Sequence, residues 1–428
     1  MDYIRGLIGI AALIAFAFLF SVNKRSINWR LVFIGVSLQI VIGILILEVP
    51  IIASGFDRLS AIFVKFLSFS NAGARFLFGD LAGTSFGFIF AFQVLPTIIF
   101  FSTISAGLYY LGILQKVVFG IAWLMSRTMR LSGAESLSAA GNIFLGQTEA
   151  PLLVRPFIPK MTRSELMCLM TGGMATIAGS VLAGYVAFLG GDSLEEQTRF
   201  AAYLLSASLM NAPAAIVFSK IIIPEMNGEL IDTKLKVNSD NLGVNLIDAL
   251  SLGAIEGLKL ALNVGGMLLA FIAVIAAVNY FLTDFIGEYT GLNAVIISTT
   301  QGQFQGFSLE YILGQIFRAF AYIMGVDWQD TLQVGSLLGQ KTVVNEFVAY
   351  LGLADMINTN TLNAKSIIIA TYALCGFSNF SSIAIQVGGI GGMAPNQQGN
   401  LSRLGMRALL AATLACMMTA TIAGALLG

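Results

Sequence analysis

Apolar runs separated by short charged loops cover most of this chain. Residues 3–22 form the first run, Lys24, Arg25 and Arg30 follow, and residues 30–49 form the second. About 20 apolar residues is the length an α-helix needs to cross the hydrocarbon core of a bilayer. Comparable runs at 86–113, 166–189, 200–223, 246–282, 366–390 and 404–427 bring the expectation to eight spans. Residues 51–86, 115–130 and 304–324 mix Arg or Lys with aromatic residues, a pattern that predicts amphipathic helices at the membrane interface. The first run has no small-residue cleavage site and reads as a retained helix.

Two stretches, 136–160 and 330–353, are apolar at both ends and polar in the middle. Each arm is about half the length a crossing needs, so both read as re-entrant hairpins with polar tips. Basic loops stay in the cytoplasm. Lys24, Arg25 and Arg30, then Arg155, Lys160 and Arg163, then Arg403 and Arg407 therefore put both termini outside. The first hairpin then enters from the cytoplasm and the second from outside. Residues 225–241 form a charged loop, expected inside. Each hairpin is followed by a span rich in Gly, Ser and Thr and then by an ordinary span. Glu149 precedes Gly179 by the same spacing as Glu346 precedes Gly376. Inverted repeats with broken helices at the midplane are typical of secondary transporters, with the substrate between them.

Composition narrows the chemistry. The chain is 57% hydrophobic and 11% charged, far below the charge of an ordinary soluble domain. Its net charge is zero, so nothing calls for nucleic acid as a partner. Without histidine it lacks the commonest general base and metal ligand. Cys168, Cys375 and Cys416 are far apart in apolar runs and read as core filler. An acid/base pair of Glu149 and Glu346 would be needed for an enzyme reading, with no activated nucleophile beside it, so an enzyme is disfavoured. Two closed tips argue against a channel.

Gln147, Thr148 and Glu149 are consecutive at the first tip. On a continuous helix one of them would face lipid; at a tip all three can face one cavity. Intramembrane acids usually mark function. Pro151 suits the first turn of a new helix. The competing reading is that these groups only satisfy the free backbone of the tip. Asn345 and Glu346 occupy the second tip, where Glu346 could instead pair with Lys341. Gly376, Phe377, Ser378, Asn379, Ser381 and Ser382 interrupt the seventh span, as close helix packing alone could also require. The tips offer amides, hydroxyls and carboxylates but no Arg or Lys, which disfavours anionic substrates. Amides match the edge of a nucleobase, and a carboxylate can accept from a ribose diol. A sugar or a neutral amphiphile fits this chemistry equally well. Asn142, Thr176 and nearby carbonyls could cage a Na+ ion; alternatively Glu149 or Glu346 could carry a coupled proton.

GQTEAPLL at 146–153, NEFVAY at 345–350 and GFSNFSSIAIQVGGIGG at 376–392 resemble the concentrative nucleoside transporters, in their eight-span bacterial form. The resemblance runs from the third span to the eighth. It implies an all-α integral membrane protein with eight transmembrane helices, two re-entrant helical hairpins, inverted repeats and interfacial helices. It also implies a homotrimer in the lipid bilayer of a bacterial inner membrane, importing uncharged nucleosides by an elevator-type mechanism. Residues 1–113 and 225–283 would be mostly scaffold; 114–224 and 284–428 would hold the transport domain plus the last span. The base would be held by Gln147, Thr148, Glu149 and, through apolar contact, Val181. The ribose would be held by Glu346, Phe377, Asn379 and Ser382. The Na+ ligands would be Asn142, the Leu145 carbonyl, Thr176 and the Ile177 carbonyl. Thr176 stands where some members have Ser, and it keeps the hydroxyl. With both Asn142 and Thr176 oxygen-bearing, Na+ is expected over H+ as the coupling ion.

Overall fold

The computed structural model describes residues 2–83, 85–87, 89–191, 193–227, 229 and 243–427. Among the described residues every regular element is helical. Among the described residues seven helical segments are long and apolar enough to cross a membrane: Asp2–Leu19, Trp29–Leu47, Phe90–Tyr110, Arg163–Gly190, Leu194–Ile222, Leu246–Thr290 and Pro395–Leu427. Two shorter apolar helices, Ala364–Leu374 and Phe380–Met393, follow each other where the seventh expected span lies. Most of the loop expected at 225–241 lies outside the described residues.

The expected interfacial stretches are helices at Pro50–Leu67, Ser70–Phe78, Ile113–Met129 and Leu309–Ile323. Arg130 ends the third of these in a left-handed conformation, so the chain turns sharply there into the first hairpin. The long helix Leu246–Tyr280 is unbroken and passes into a π-helical segment, Phe281–Gly287. Its first half packs along Leu95–Tyr110, from Leu250 against Gly107 to Gly265 against Leu95. A Cβ on Gly253 would sit 2.8 Å from the Ser102 carbonyl oxygen, so glycine lets the two backbones touch. The other side of this helix exposes Ile247, Ile255, Leu262, Leu269 and Val274. So wide an apolar face suits lipid or another subunit rather than water.

The inside of the molecule is built from the two broken spans and the ordinary spans after them. Tyr185, Tyr350 and Tyr372 are among its largest fully buried side chains. Leu194–Ile222 and Gln398–Leu427 are buried along most of their length. The two stretches expected as hairpins differ in their arms. The first enters as a short helix, Gly133–Gly141, with a Ser132–Glu135 capping box at its start. It returns as two 3-10 turns, Ala150–Val154 and Ile158–Lys160. Pro151 does start the return, but Pro156 and Pro159 follow too soon for a regular helix. The second hairpin is a regular helix pair, Thr331–Val343 and Glu346–Asn358. This asymmetry limits the residue-level repeat. Gly179 is the first residue of a half-helix, whereas Gly376 lies inside the break that precedes Phe380.

Candidate functional site

Two helix breaks meet at the centre. The first half of the fourth span ends at Ala175 and the second begins at Gly179. The seventh span stops at Leu374 and resumes at Phe380. The Phe377 N–H donates to the Thr176 carbonyl at 3.3 Å, joining the breaks through main chain. Gly376 makes the approach possible, since a Cβ there would stand 2.7 Å from the Ala175 carbonyl oxygen. Breaking a helix leaves carbonyls without partners. Asn211, from the fifth span, answers two of them: its Nδ2 donates to the Ala175 carbonyl at 2.8 Å and the Cys375 carbonyl at 2.7 Å. The Cys416 Sγ lies 3.4 and 3.3 Å from the same two carbonyls, between which its single proton is shared. Cys375 and Cys416 thus sit at the crossing itself, while Cys168 is buried elsewhere in the fourth span.

Both hairpin tips reach this crossing. Gly179 N–H donates to the Phe144 carbonyl at 3.2 Å, tying the first tip to the start of the second half-helix. Gln147 Nε2 donates to Ser382 Oγ at 3.1 Å. At the second tip, Glu346 is 3% exposed and accepts from Tyr185 Oη at 3.0 Å and Asn379 Nδ2 at 2.8 Å. Asn379 caps the helix Phe380–Met393, its Oδ1 accepting from Ser382 N–H at 2.8 Å. Glu346, Asn379, Ser382 and Gln147 therefore form one hydrogen-bonded chain across both tips and the seventh-span break. Val181 and Phe377 are both buried, Phe377 within the same break. Thr148 and Glu149 are exposed, and Glu149 Oε2 accepts from the Gly146 N–H at 3.1 Å, which folds the tip back on itself. Lys341 does not hydrogen-bond Glu346: its Nζ donates to the Ala373 carbonyl at 2.9 Å.

Two of the expected Na+ ligands, Asn142 and Thr176, meet at Gly172. Asn142 is 1% exposed, and neither its Oδ1 nor its Nδ2 has a hydrogen-bond partner within the protein. An unsatisfied buried amide is costly and calls for a ligand or water. Asn142 lies against Gly172, where a Cβ would stand 3.0 Å from Nδ2. The Thr176 hydroxyl donates to the Gly172 carbonyl at 2.9 Å, which leaves its lone pairs to accept or ligate. Leu145 and Ile177 are buried on the same two elements. The orphaned Asn142 amide oxygen and the Thr176 hydroxyl beside Gly172 are hard donors of the kind a Na+ ion takes.

Three residues with no expected role belong to this cluster: Tyr185, Asn211 and Gln386. Gln386 was legible as a lone amide in an apolar span. Asn211 was legible in the same way, as the lone amide of the apolar stretch 200–223, whereas Tyr185 carried no such mark because its partner Glu346 is distant in sequence.

Together these features define a helical membrane transporter with its polar centre at crossed helix breaks. Residues 203–424 match the family described as Na+ dependent nucleoside transporter C-terminus, 8–81 its N-terminal counterpart, and 91–192 a nucleoside recognition domain. The uncharacterized transporter YutK of Bacillus subtilis is 43% identical over 99% of each chain. The solved structure of CNTnw in an inward-facing substrate-bound state is 39% identical, covers 100% of this chain and 98% of its own, and superposes with a TM-score of 0.86. A CNTnw variant in an outward-facing state is 38% identical over the same shares, with a TM-score of 0.87. The chain belongs to the concentrative nucleoside transporter family. It is a multi-pass membrane transporter of a Na+ dependent family, not an enzyme.

Proposed function

We propose that this protein is a Na+-coupled symporter that imports uncharged nucleosides across a bacterial inner membrane. The observation that carries the reading is the hydrogen-bonded chain from Gln147 through Ser382 and Asn379 to Glu346. It joins amide, hydroxyl and carboxylate groups of both hairpin tips and holds no basic side chain. Gln147, Thr148 and Glu149 would hold the base, with Val181 as an apolar contact. Glu346, Asn379 and Ser382 would hold the ribose hydroxyls, and Phe377 would wall the sugar. Na+ would sit between Asn142, Thr176 and the carbonyls of Leu145 and Ile177. There it would neutralise and order the first tip, and the ordered tip would then receive the base.

In this reading eight segments cross the membrane, the seventh being the pair Ala364–Leu374 and Phe380–Met393, and both hairpins are re-entrant. Residues 1–113 and 225–283 serve mostly as scaffold, and 114–224 with 284–428 carry the site. The existence of inward- and outward-facing forms of CNTnw supports alternating access of the elevator type. The exposed apolar face of Leu246–Tyr280 is where the subunits of a homotrimer would meet. Uptake of labelled uridine into proteoliposomes tests the function: accumulation is expected with an inward Na+ gradient and not with a pH gradient alone. Accumulation driven by the pH gradient alone would instead make a carboxylate, Glu149 or Glu346, the coupling group.

A further inference from the structure

Gln386 is fully buried on the helix Phe380–Met393, one turn beyond Ser382. Residues four apart share a helix face, so Ser382 and Gln386 stand side by side toward the first tip. Gln386 Nε2 donates to Gln147 Oε1 and to the Met170 carbonyl, both at 3.2 Å. The second contact fixes the orientation of the amide. A main-chain carbonyl can only accept, so the nitrogen of Gln386 must face Met170. That nitrogen then faces Gln147 as well, which must turn its oxygen to meet it. The nitrogen of Gln147 is thereby directed to Ser382 Oγ, at 3.1 Å. Having accepted there, the Ser382 hydroxyl keeps its own proton to donate. Hydrogen-bond polarity is thus set from Met170 through Gln386 and Gln147 to Ser382.

The backbone leaves room for this arrangement and little else. A Cβ on Gly173 would stand 2.5 Å from Gln386 Nε2 and 3.1 Å from the Gln147 Cβ. Gln147 is held at both ends of its amide, by Gln386 on the oxygen side and Ser382 on the nitrogen side. A free glutamine could reverse its amide and serve bases with either pattern at little cost. A pinned one cannot.

We propose that Gln386 is a positioning residue that sets the specificity of the pocket. It holds Gln147 as a hydrogen-bond donor, so that the site favours nucleosides whose base presents a carbonyl over the matching bases that present an amine. This rests on the nucleoside reading above. Uridine and cytidine form one such pair, inosine and adenosine another. The members of a pair share nearly the same shape and differ mainly in the direction of hydrogen bonds at one edge.

The experiment measures uptake of all four nucleosides into proteoliposomes under one Na+ gradient, for the wild type, Gln386→Leu and Gln386→Met. The wild type is expected to favour uridine over cytidine and inosine over adenosine. Both variants free Gln147 to reverse and are expected to shrink each ratio about fivefold, the value of one buried hydrogen bond. A purely structural role would lower all four rates in parallel, and unchanged ratios in a folded variant would overturn the proposal. Should neither variant fold, competition on the wild type decides, and preference for the amine-bearing members would overturn it. A wild type that takes up none of the four would defeat the nucleoside reading, and this inference with it. Normal nucleoside uptake with unmoved ratios would defeat the inference alone.

Discussion

The main-chain N–H of Phe377 donates to the carbonyl of Thr176 at 3.3 Å, so two helices interrupted far apart in sequence are interrupted at one point in space. Each break frees backbone polar groups that hydrocarbon would not satisfy. Placed together, the breaks satisfy some of these groups mutually and leave others facing a polar centre.

Asn211 holds that junction from outside. Substituting Asn211→Leu would strip one donor from two buried carbonyls, Ala175 and Cys375. The Cys416 thiol is too weak a donor to replace it. The expected cost is about 1–3 kcal/mol of stability, seen as a lowered Tm in detergent, with the oligomeric state unchanged. Asn211→Asp, which keeps the shape but not the donor, should behave similarly.

Asn142 should show the reverse pattern. Its amide has no partner inside the protein, so Asn142→Ala should leave the Tm without Na+ nearly unchanged. The Na+ concentration for half-maximal uridine uptake should rise tenfold or more, about 1.4 kcal/mol of lost ion binding. Titration of Na+ against initial uptake rates checks this.

Glu346 accepts from two donors, Tyr185 and Asn379. Glu346→Gln would set an amide N–H against one of them. Uptake should fall by about two orders of magnitude, consistent with a charge-assisted hydrogen bond of about 1.5–3 kcal/mol being replaced by an opposed pair of donors. Tyr185→Phe removes one donor and keeps the ring packed on Tyr350, at 4.4 Å between centroids. Its effect should be milder, about fivefold in apparent affinity. Uptake kinetics for the two variants separate the carboxylate from its support.

Lys220 forms a buried ion pair with Glu135 at the base of the first hairpin and donates to Ser164 Oγ at 2.9 Å. Lys220→Met leaves Glu135 buried without its cation, at a cost of about 3–5 kcal/mol. The expected outcome is poor expression or a large loss of thermal stability. The double variant Lys220→Met with Glu135→Leu should recover part of it.

Much of this was legible in the sequence because a bilayer enforces a simple code. Apolar length located the long helices, and the polar interruptions at Gln147–Glu149, Asn345–Glu346 and the 376–382 break marked the parts that meet. What the code could not supply was pairing. Glu346 had Lys341 five residues away, yet it is bound by Tyr185 and Asn379 while Lys341 turns to Ala373. Proximity in sequence is a poor guide at a hairpin tip, where neighbouring side chains diverge. The equal Glu-to-Gly spacing in the two halves likewise held for the order of elements but not residue by residue. Pro156 and Pro159 deny the first hairpin the regular return helix that the second one has.

The central claim is that Na+ at Asn142 and Thr176 organises the tip that receives the base. The most direct test is the affinity of purified protein for uridine, measured by calorimetry at fixed pH and ionic strength in NaCl and again in choline chloride. The account predicts that binding weakens at least tenfold in choline, and that Asn142→Ala shows the weak value in both salts. Equal uridine affinity of the wild type in the two salts would contradict it.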